Sequence, residues 1–420
     1  MSILNKIKKL IPKKLFKGLQ PFYHYSLIFL SAFIYRFPSR KIFVVGVTGT
    51  KGKTSVIELV NAILEEAGYK TSLAGTLRFK IANKSENNKF KMTMPGRFFI
   101  QDFLRKSVKE KCDFAILEIT SEGVKQFRHK FIQLNSLIYT NLAPEHIESH
   151  GSYENYRAAK LQIAKALEKS SKKRKNIIVN EDDKESSRFL DIDIKEKIKY
   201  SLKDAKPFEL NKNGMSITIN NQKILSHLSG EFNIYNILAA IKFAQSQNIG
   251  MEVIKKAIEN FKGIRGRVEL IDEGQDFTVI VDYAHTPDSL EKLYEAFPNS
   301  KRICVLGGTG GGRDTWKRKI MGSIADKYCS QIILTNEDPY DEDPNKIIED
   351  IVEGIKKPIY EIIIDRGEAI KKAISTAQTG DTVLITGKGT DPYIMGANNT
   401  KLKWDDASIT REKIINLLKS

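Results

Sequence analysis

Length, composition and charge describe a globular chain with anionic partners. It has 420 residues, of which 41% are hydrophobic and 28% charged, enough for about two or three domains with buried cores. The 68 lysines and arginines outnumber 51 aspartates and glutamates, so the net charge of +17 favours anionic partners. No basic block is interleaved with aromatic residues, so we expect no nucleic-acid partner. Three scattered cysteines, Cys112, Cys304 and Cys329, exclude a disulfide framework or zinc site, and we expect packed thiols in a reducing compartment.

Residues 1–40 form a basic and apolar N-terminal segment. Lysine-rich NKIKKLIPKKLFKG precedes the apolar run PFYHYSLIFLSAFIY at 21–35. This run is shorter than the roughly twenty residues that cross a bilayer, and it lacks the cleavage site of a signal peptide. Two interpretations stay open: a helix packed on its own domain, or an interfacial membrane helix assisted by the lysines.

The stretch VVGVTGTKGKTS at 44–55 predicts a strand, a glycine-rich loop and the start of a helix. At such a junction, free N–H groups and the positive end of the helix dipole bind a polyphosphate. Lys53 would add a charge on the terminal phosphates, and Thr54 a hydroxyl for Mg²⁺. The usual P-loop spacing is missed by one residue because position 47 is valine.

Strands and helices alternate along most of the chain. The first region has strand candidates at 42–47, 114–119 and 135–140, and a hairpin around Asn220–Asn221 follows in 214–228. The turn-rich KGIRGR at 262–267 is the predicted boundary. The predicted division is therefore an N-terminal segment 1–40, a central domain 41–264 and a C-terminal domain 265–420.

Beyond that boundary, five strand candidates alternate with helices, which predicts a second, mostly parallel sheet covered on both faces. Ligands of such sheets lie at the carboxyl ends of the strands, where DYAHTPD, GGTGGGRDTWKR, NEDPY and GKGTDPY occur. The fold class is thus α/β: a P-loop central ATPase domain with a mostly parallel sheet, then a Rossmann-like, doubly wound C-terminal domain.

A metal site is indicated by three residues of the central domain. Glu118 lies in the apolar stretch FAILEI, where a carboxylate needs a neutralising partner, and a metal beside a nucleotide would serve. His146 follows the next strand, and Lys160 lies on a helix that Ser152 would cap. The alternatives are an ion-paired core carboxylate, a core histidine, and a structural lysine extending from an apolar face.

Several blocks in one order resemble the Mur ligases, and among them the UDP-N-acetylmuramyl-tripeptide synthetase branch. These blocks are GVTGTKGKTS, TMPG, LEITSEGVKQFR, YTNLAPEHIESHGSYENYRAAK, GEFNIYNILAA, GRVE, VDYAHTPDSLE, GGTGGGRDTWKRKIMG and GKGTDPYIMG. The resemblance runs from about 41 to 420. It implies an ATP-dependent amide ligase in peptidoglycan biosynthesis: the γ-phosphate passes to a peptide carboxylate, an amino acid's amine attacks the acyl phosphate, and ADP and phosphate leave.

The resemblance also implies roles for individual residues in nucleotide and metal binding. The implied catalytic residues are Lys53, Glu118, His146 and Lys160. Two Mg²⁺ ions would be held by Thr54, Glu118, His146 and Lys160, with Lys160 carbamylated so that it carries a negative charge. The implied ATP contacts are Gly49, Thr50, Gly52, Lys53, Thr54, Ser55, Asn236, Arg267 and Asp282.

Both co-substrates have implied contacts too. The muramyl-dipeptide acceptor would meet Thr93, Thr120, Gln126 and Arg128, and the diamino acid would meet Arg313, Glu337, Asp338, Gly387 and Asp391. In diaminopimelate-adding relatives an arginine grips the distal carboxylate where this chain has Tyr340, which cannot form that bidentate pair. The acidic residues favour lysine, but Arg366 or Lys388 could replace the arginine, so lysine and meso-diaminopimelate both stay open.

The family's uridine-binding domain is expected to be absent, with residues 1–40 in its place. The acceptor is then either UDP-linked or lipid-linked. We expect a cytoplasmic monomer with peripheral membrane contact through residues 1–40. Two alternatives are a folylpolyglutamate-synthetase-like ligase and a non-catalytic nucleotide-binding protein associated with nucleic acid or membrane.

Overall fold

The computed structural model describes residues 13–90, 92–145, 147–211, 214–298, 300–312 and 314–419, with the backbone alone for 13–19 and 147. Two residues singled out by the sequence, His146 and Arg313, lie outside this described part. The helices are α1 Lys13–Ile34, α2 Lys53–Glu66, α3 Arg97–Lys109, α4 Ser121–Lys125, α5 Ile147–His150, α6 Tyr153–Glu168, α7 Ser186–Leu190, α8 Glu231–Ser246, α9 Met251–Asn260, α10 Pro287–Glu295, α11 Trp316–Tyr328, α12 Pro344–Val352, α13 Arg366–Thr376 and α14 Asp406–Lys419.

The strands form the sheets of two compact units. They are β1 Phe43–Thr48, β2 Thr71–Ala74, β3 Arg78–Ile81, β4 Lys84–Asn87, β5 Phe114–Glu118, β6 Ser136–Tyr139, β7 Asn176–Asn180, β8 Glu196–Tyr200, β9 Phe208–Asn211, β10 Gly214–Ile219, β11 Gln222–Ser226, β12 Glu269–Leu270, β13 Thr278–Asp282, β14 Arg302–Leu306, β15 Gln331–Leu334, β16 Tyr360–Ile362, β17 Thr382–Thr386, β18 Tyr393–Met395 and β19 Lys401–Lys403. The first unit comprises the described parts of 1–204 and 235–257, the second those of 205–234 and 258–420. The boundary near 262–267 stays a prediction.

The first unit is built on an eight-stranded sheet in the order β4-β3-β2-β5-β1-β6-β7-β8. From β2 to β8 neighbouring strands are parallel, and β3 and β4 add an antiparallel edge. The apolar strands β1, β5 and β6 occupy the middle, where both faces of a parallel sheet are covered. The carboxyl ends of these three strands therefore lie along one edge, as the sequence predicted.

The second unit is built on a six-stranded sheet in the order β12-β13-β17-β14-β15-β16, parallel except for the short β12. Separate apolar cores lie on its two faces, so the predicted doubly wound architecture is confirmed. This unit also holds the antiparallel sheet β11-β10-β9. The predicted turn between β10 and β11 is confirmed, with positive φ angles of 49° at Asn220 and 61° at Asn221.

Helix α1 packs against α3 through a narrow inward face. Ile28, Ser31 and Ala32 are fully buried there, and the Ser31 hydroxyl donates a 3.0 Å hydrogen bond to the carbonyl of Arg97 at the start of α3. The interpretation of a helix packed on its own domain is therefore confirmed for residues 20–34. Within the described residues, no helix combines the length and apolarity needed to cross a bilayer.

The cysteines differ from the sequence-based expectation. Cys304 in β14 and Cys329, the residue after α11, form a disulfide, with Cα atoms 6.2 Å apart. The prediction of three packed thiols is wrong for this pair. Helix α11 follows β14 and ends beside it, which brings the two cysteine side chains together. Cys112 is a free, buried thiol, as predicted.

Candidate active site

The glycine-rich loop between β1 and α2 takes a conformation that requires two of its glycines. Gly49 and Gly52 have φ angles of 148° and 81°. A Cβ atom at Gly49 would overlap the Thr140 hydroxyl, and one at Gly52 would overlap the side-chain oxygen of Asn236. Asn236 on α8 therefore lies directly against the loop, and its contact to the adenine stays a prediction.

The side chains of the loop hold it in place. The Lys53 ammonium donates a 2.8 Å hydrogen bond to the Thr50 carbonyl. The Thr50 and Tyr156 hydroxyls lie 2.9 Å apart, and Lys51 forms a 2.9 Å ion pair with Glu145. Tyr156, Lys51 and Glu145 were not predicted from the sequence. A phosphate oxygen could replace the Thr50 carbonyl as the acceptor of this hydrogen bond.

Glu118 ends β5 beside the loop and is 3% exposed. Its carboxylate accepts hydrogen bonds from the Thr54 hydroxyl at 3.2 and 3.3 Å and from the Thr76 amide at 2.8 Å. Within the part of the chain that the structure describes, Glu118 forms no ion pair. The alternative of an ion-paired core carboxylate thus finds no support there. A buried carboxylate beside a threonine hydroxyl offers oxygen ligands of the kind Mg²⁺ prefers.

Lys160 lies at the other side of the loop, on α6. Ser152 caps this helix as predicted, by accepting a hydrogen bond from the Asn155 amide. The Lys160 ammonium is buried and donates a 2.7 Å hydrogen bond to the Gly49 carbonyl. Burial lowers the pKa of Lys160 well below its ordinary value, and the charge of Lys53 lowers it further, against the opposing carboxylates of Glu145 and Glu118. Burial thus favours the uncharged form of this side chain.

The predicted acceptor residues lie next to this group. Thr76 donates its amide to Glu118, and its hydroxyl lies 2.7 Å from the Thr93 hydroxyl. Thr120 follows Glu118 by two residues and caps α4 by accepting from the Gly123 amide at 3.1 Å. Thr76 was missed by the sequence analysis, although its place just after β2, the neighbour of β5, could have indicated it.

Arg128 and Arg97 present guanidinium groups with unmet hydrogen bonds. Arg128 donates to the Gln126 side chain at 2.6 Å and to the Met94 carbonyl. The Nε atoms of both arginines are buried and have no hydrogen-bond partner among the described residues. Burial lowers the pKa of Arg128, and the charge of Arg97 adds to this effect. Two desolvated cations with free donors favour an anion at this position.

In the second unit, Arg267 and Asp282 lie close together, because each contacts a chain neighbour of the other. The guanidinium carbon of Arg267 lies 4.3 Å from the ring centroid of Tyr283. The Asp282 carboxylate accepts hydrogen bonds from the amides of Val268 and Ala284 at 2.7 and 2.6 Å. These contacts give Asp282 a structural role, and its contact to ribose stays a prediction.

The predicted amino-acid site of the second unit is strongly charged. Lys388 donates to Asp338 at 2.8 Å and to Asp391 at 2.9 Å. Burial alone would lower the pKa of Lys388, but the charges of Asp391 and Asp338 outweigh it and raise the pKa. Glu337 accepts from the Thr309 hydroxyl at 2.7 Å, and its other oxygen is buried beside Gly387 without a partner among the described residues.

Neither proposed replacement for the missing arginine is an unpaired cation. Arg366 is buried and forms a bidentate pair with Asp406, with distances of 2.8 and 2.6 Å. This excludes it as a ligand for a substrate carboxylate. Lys388 lies in the site but is paired with two aspartates.

The loop residues, Glu118, Lys160 and Asn236 are thus brought together in the first unit, with Thr93 linked to them through Thr76. Among the described residues, no group of three or more His, Cys, Asp or Glu side chains could hold a metal.

Comparison with known proteins identifies the family. Residues 47–244 match the Mur ligase middle domain, and residues 266–389 match the Mur ligase glutamate ligase domain. The UDP-N-acetylmuramoyl-L-alanyl-D-glutamate–2,6-diaminopimelate ligase of Syntrophomonas wolfei is 37% identical over 401 residues, covering 92% of this chain and 81% of the relative. The Bacillus cereus protein of the same name is 33% identical over 403 residues, covering 93% and 81%.

Solved structures of similar proteins support the same family. A UDP-N-acetylmuramoyl-L-alanyl-D-glutamate–2,6-diaminopimelate ligase has a TM-score of 0.63 and 27% identity, covering 90% of this chain and 79% of that one. Mycobacterium tuberculosis folylpolyglutamate synthase complexed with ADP shares the fold, with a TM-score of 0.68 and 14% identity over 86% of this chain and 91% of its own. The chain belongs to the Mur ligase family, as its motifs predicted, and is an ATP-dependent ligase that forms carbon–nitrogen bonds.

Proposed function

We propose that this ligase joins a diamino acid to a muramyl-L-Ala-D-Glu acceptor while ATP is converted to ADP and phosphate. One observation carries the proposal: hydrogen bonds run from Thr54 in the nucleotide loop through Glu118 and Thr76 to Thr93, a predicted acceptor residue. A phosphoryl donor and a carboxylate acceptor bound to these residues would be neighbours. The names of the similar ligases support this assignment.

In the proposed first step, the γ-phosphoryl group passes from ATP to the acceptor carboxylate. The loop amides from Gly49 to Ser55 bind the phosphates, and Lys53 exchanges the Thr50 carbonyl for a phosphate oxygen. Asn236 would meet the adenine, Asp282 the ribose and Arg267 the phosphates. Bound Mg²⁺ would neutralise charge on the phosphates, held by Thr54, Glu118, His146 and Lys160.

The same proposal assigns a carbamate to Lys160. A neutral lysine amine can add to CO₂ and release a proton, which converts the side chain into an anionic oxygen ligand. Burial, which lowers the pKa of Lys160, favours that neutral amine. The carboxylate of Glu118 alone is a small charge for two divalent ions, so a second anion fits the site.

In the proposed second step, the amine of the amino acid attacks the acyl phosphate, the carbon–oxygen bond breaks and phosphate leaves. Arg128 with Gln126, Thr120 and Thr93 would hold the acceptor. Arg313 would hold the α-carboxylate of the amino acid. Glu337, Asp338, Asp391 and Gly387 would surround its distal end. The partnerless oxygen of Glu337 suits an ammonium group.

Two diamino acids are candidates, each with a specific observation in its favour. Tyr340 in place of arginine, the paired Lys388 and the buried Arg366–Asp406 pair leave the distal carboxylate of diaminopimelate without a described partner, which favours lysine. The names of the similar ligases favour 2,6-diaminopimelate. We propose that the enzyme works as a monomer in the cytoplasm.

Product mass distinguishes these candidates. The protein is incubated with ATP, Mg²⁺, UDP-muramyl-L-Ala-D-Glu and either lysine or diaminopimelate, and phosphate release is measured in parallel. We expect phosphate release that requires both acceptor and amino acid, and a product heavier by one amino-acid residue. Turnover stimulated by nucleic acid instead, or by folate with glutamate, would contradict the proposal. Lys53→Met should abolish turnover, whereas Lys165→Ala, an exposed lysine on α6, should leave it unchanged.

A further inference from the structure

Helix α1 exposes an apolar face to solvent. Its large hydrophobic side chains include Phe22, exposed at 77%, Phe33 at 65% and Ile34 at 54%. Tyr23, Tyr25, Phe29 and Leu30 complete the set of exposed residues. We call the outward side of residues 22–34 the α1 face. Contiguous exposed apolar patches on soluble proteins mark sites that contact a partner or a membrane.

This face differs from that of an ordinary surface helix. The inward side already carries Ile28 and Ala32, so a surface helix should place polar side chains on the opposite side. Residues 22–34 have only Ser26 as a polar exposed side chain without an aromatic ring. Apart from Ser26 and the tyrosine hydroxyls, the outward side of residues 22–34 is therefore apolar, as expected when a second apolar phase covers it.

Basic residues border the C-terminal end of the α1 face. Residues 1–41 contain nine lysines and arginines and no aspartate or glutamate. Arg36, Arg40 and Lys41 are exposed directly after the helix. The Lys172 ammonium donates to the carbonyls of Arg40 at 3.1 Å and Ile42 at 2.8 Å, so the basic stretch 172–175 lies beside the same end.

The charge identifies the occupant. The α1 face and its neighbouring cations match an anionic lipid surface. The apolar side chains would pack among the acyl chains, and the lysines and arginines would pair with the headgroups. A second copy of the chain would bring two such cationic borders together, which electrostatic repulsion disfavours. Since none of the described helices can cross a bilayer, the helix must lie along the surface.

We propose that α1 docks this ligase on an anionic lipid surface, with Phe22, Phe29 and Phe33 inserted among the acyl chains. The apolar surface continues beyond the helix, because the ring of Phe29 lies 5.6 Å from that of Phe131, and Phe131 lies 6.2 Å from Phe37. The inserted area is therefore a patch of helix and loop rather than a single row of side chains.

If the proposed function holds, docking of α1 also affects how the acceptor reaches the enzyme. Phe131 follows Arg128 by three residues, and Ser31 of α1 bonds the Arg97 carbonyl. The two arginines with unmet donors thus lie on the inner side of the docked helix. The enzyme would meet an acceptor whose anionic group lies at the lipid surface.

Vesicle binding tests the proposal without any ligase reaction. The full chain is sedimented with vesicles of phosphatidylcholine alone or with about a third phosphatidylglycerol, at low and high salt. We expect binding to the anionic vesicles that weakens with salt. The variant Phe22→Ser/Phe33→Ser should bind at least about tenfold more weakly, because two inserted aromatic side chains are lost. The control Leu402→Ser removes an exposed apolar side chain, at 59%, from the second unit and should bind as the wild type does.

Two further readouts complete the test. Both variants should keep the wild-type rate with the soluble UDP-linked acceptor, so loss of vesicle binding is separable from failure of the proposed function. Equal vesicle binding by wild type and the double variant would overturn the proposal. A wild-type dimer in light scattering that becomes a monomer in the double variant would also overturn it, by assigning the α1 face to a second copy.

Discussion

Replacement of Arg366 by methionine should destabilise the second unit without a direct effect on substrate binding. The guanidinium donates to both oxygens of Asp406 and, at 2.7 Å, to the Thr386 carbonyl. The exposed fractions of the two charged side chains are 1% and 0%. The variant would leave the Asp406 carboxylate buried with the Trp404 indole, which donates at 2.8 Å.

The magnitude follows from the burial of this pair. Removing one partner of a fully buried, bidentate ion pair costs about 4 kcal/mol, because the remaining charge has lost both water and counter-ion. For a unit of this size, that loss lowers the midpoint of thermal unfolding by roughly 10 °C. The double variant Arg366→Met/Asp406→Leu removes both charges, so it should recover most of the stability.

Thermal unfolding followed by circular dichroism measures the stability, and product formation from lysine and diaminopimelate measures the function. The double variant should unfold near the wild-type temperature and keep the wild-type KM for both amino acids. If Arg366→Met unfolded like the wild type but lost activity with diaminopimelate, Arg366 would be a substrate ligand and the structural assignment would be refuted.

Three other predictions concern single residues. Lys160→Ala should abolish turnover but keep the nucleotide binding that calorimetry measures. An added short carboxylate should restore part of the activity, whereas full activity of the variant without it would contradict the carbamate assignment. Burial lowers the pKa of His129 to about 3 from 6.5. Between these two values only the unfolded state binds the extra proton, so the stability of the wild type decreases as the pH is lowered. Leucine at this position has no such proton to bind. As the pH is lowered from about 8 to about 5, the free energy of unfolding of His129→Leu, measured in urea, should therefore increase by about 2 kcal/mol relative to that of the wild type, and an unchanged difference would contradict this burial. Cys304→Ala should lower the free energy of unfolding by about 3 kcal/mol, and a reductant should lower that of the wild type by the same amount. Equal unfolding of the wild type with and without reductant would argue against the disulfide.

Local patterns in the sequence predicted much of the fold. The strand, loop and helix of residues 43–66 were recognisable because apolar runs, glycines and helical spacing are short-range signals. Asp343 caps α12 with Pro344 at its first position, and such a cap is a local signal because it depends only on neighbours in the chain.

Contacts between distant residues could not be predicted in the same way. Arg366 was a candidate substrate ligand until the fold placed Asp406, 40 residues away, against its guanidinium. The pairing of Lys388 with Asp338, 50 residues apart, likewise depends on packing. Thr76 became visible only when β2 and β5 were seen as neighbours.

The strand order of the first unit separates the strands that position the loop and Glu118 from the strands at its two edges. The loop after β1, Glu118 at the end of β5 and the segment after β6 hang from three adjacent middle strands. At one border lies β4, whose side chains are all exposed, and at the other lies β8. Substitutions at those borders should therefore disturb the loop and Glu118 less than substitutions in β1, β5 or β6 would.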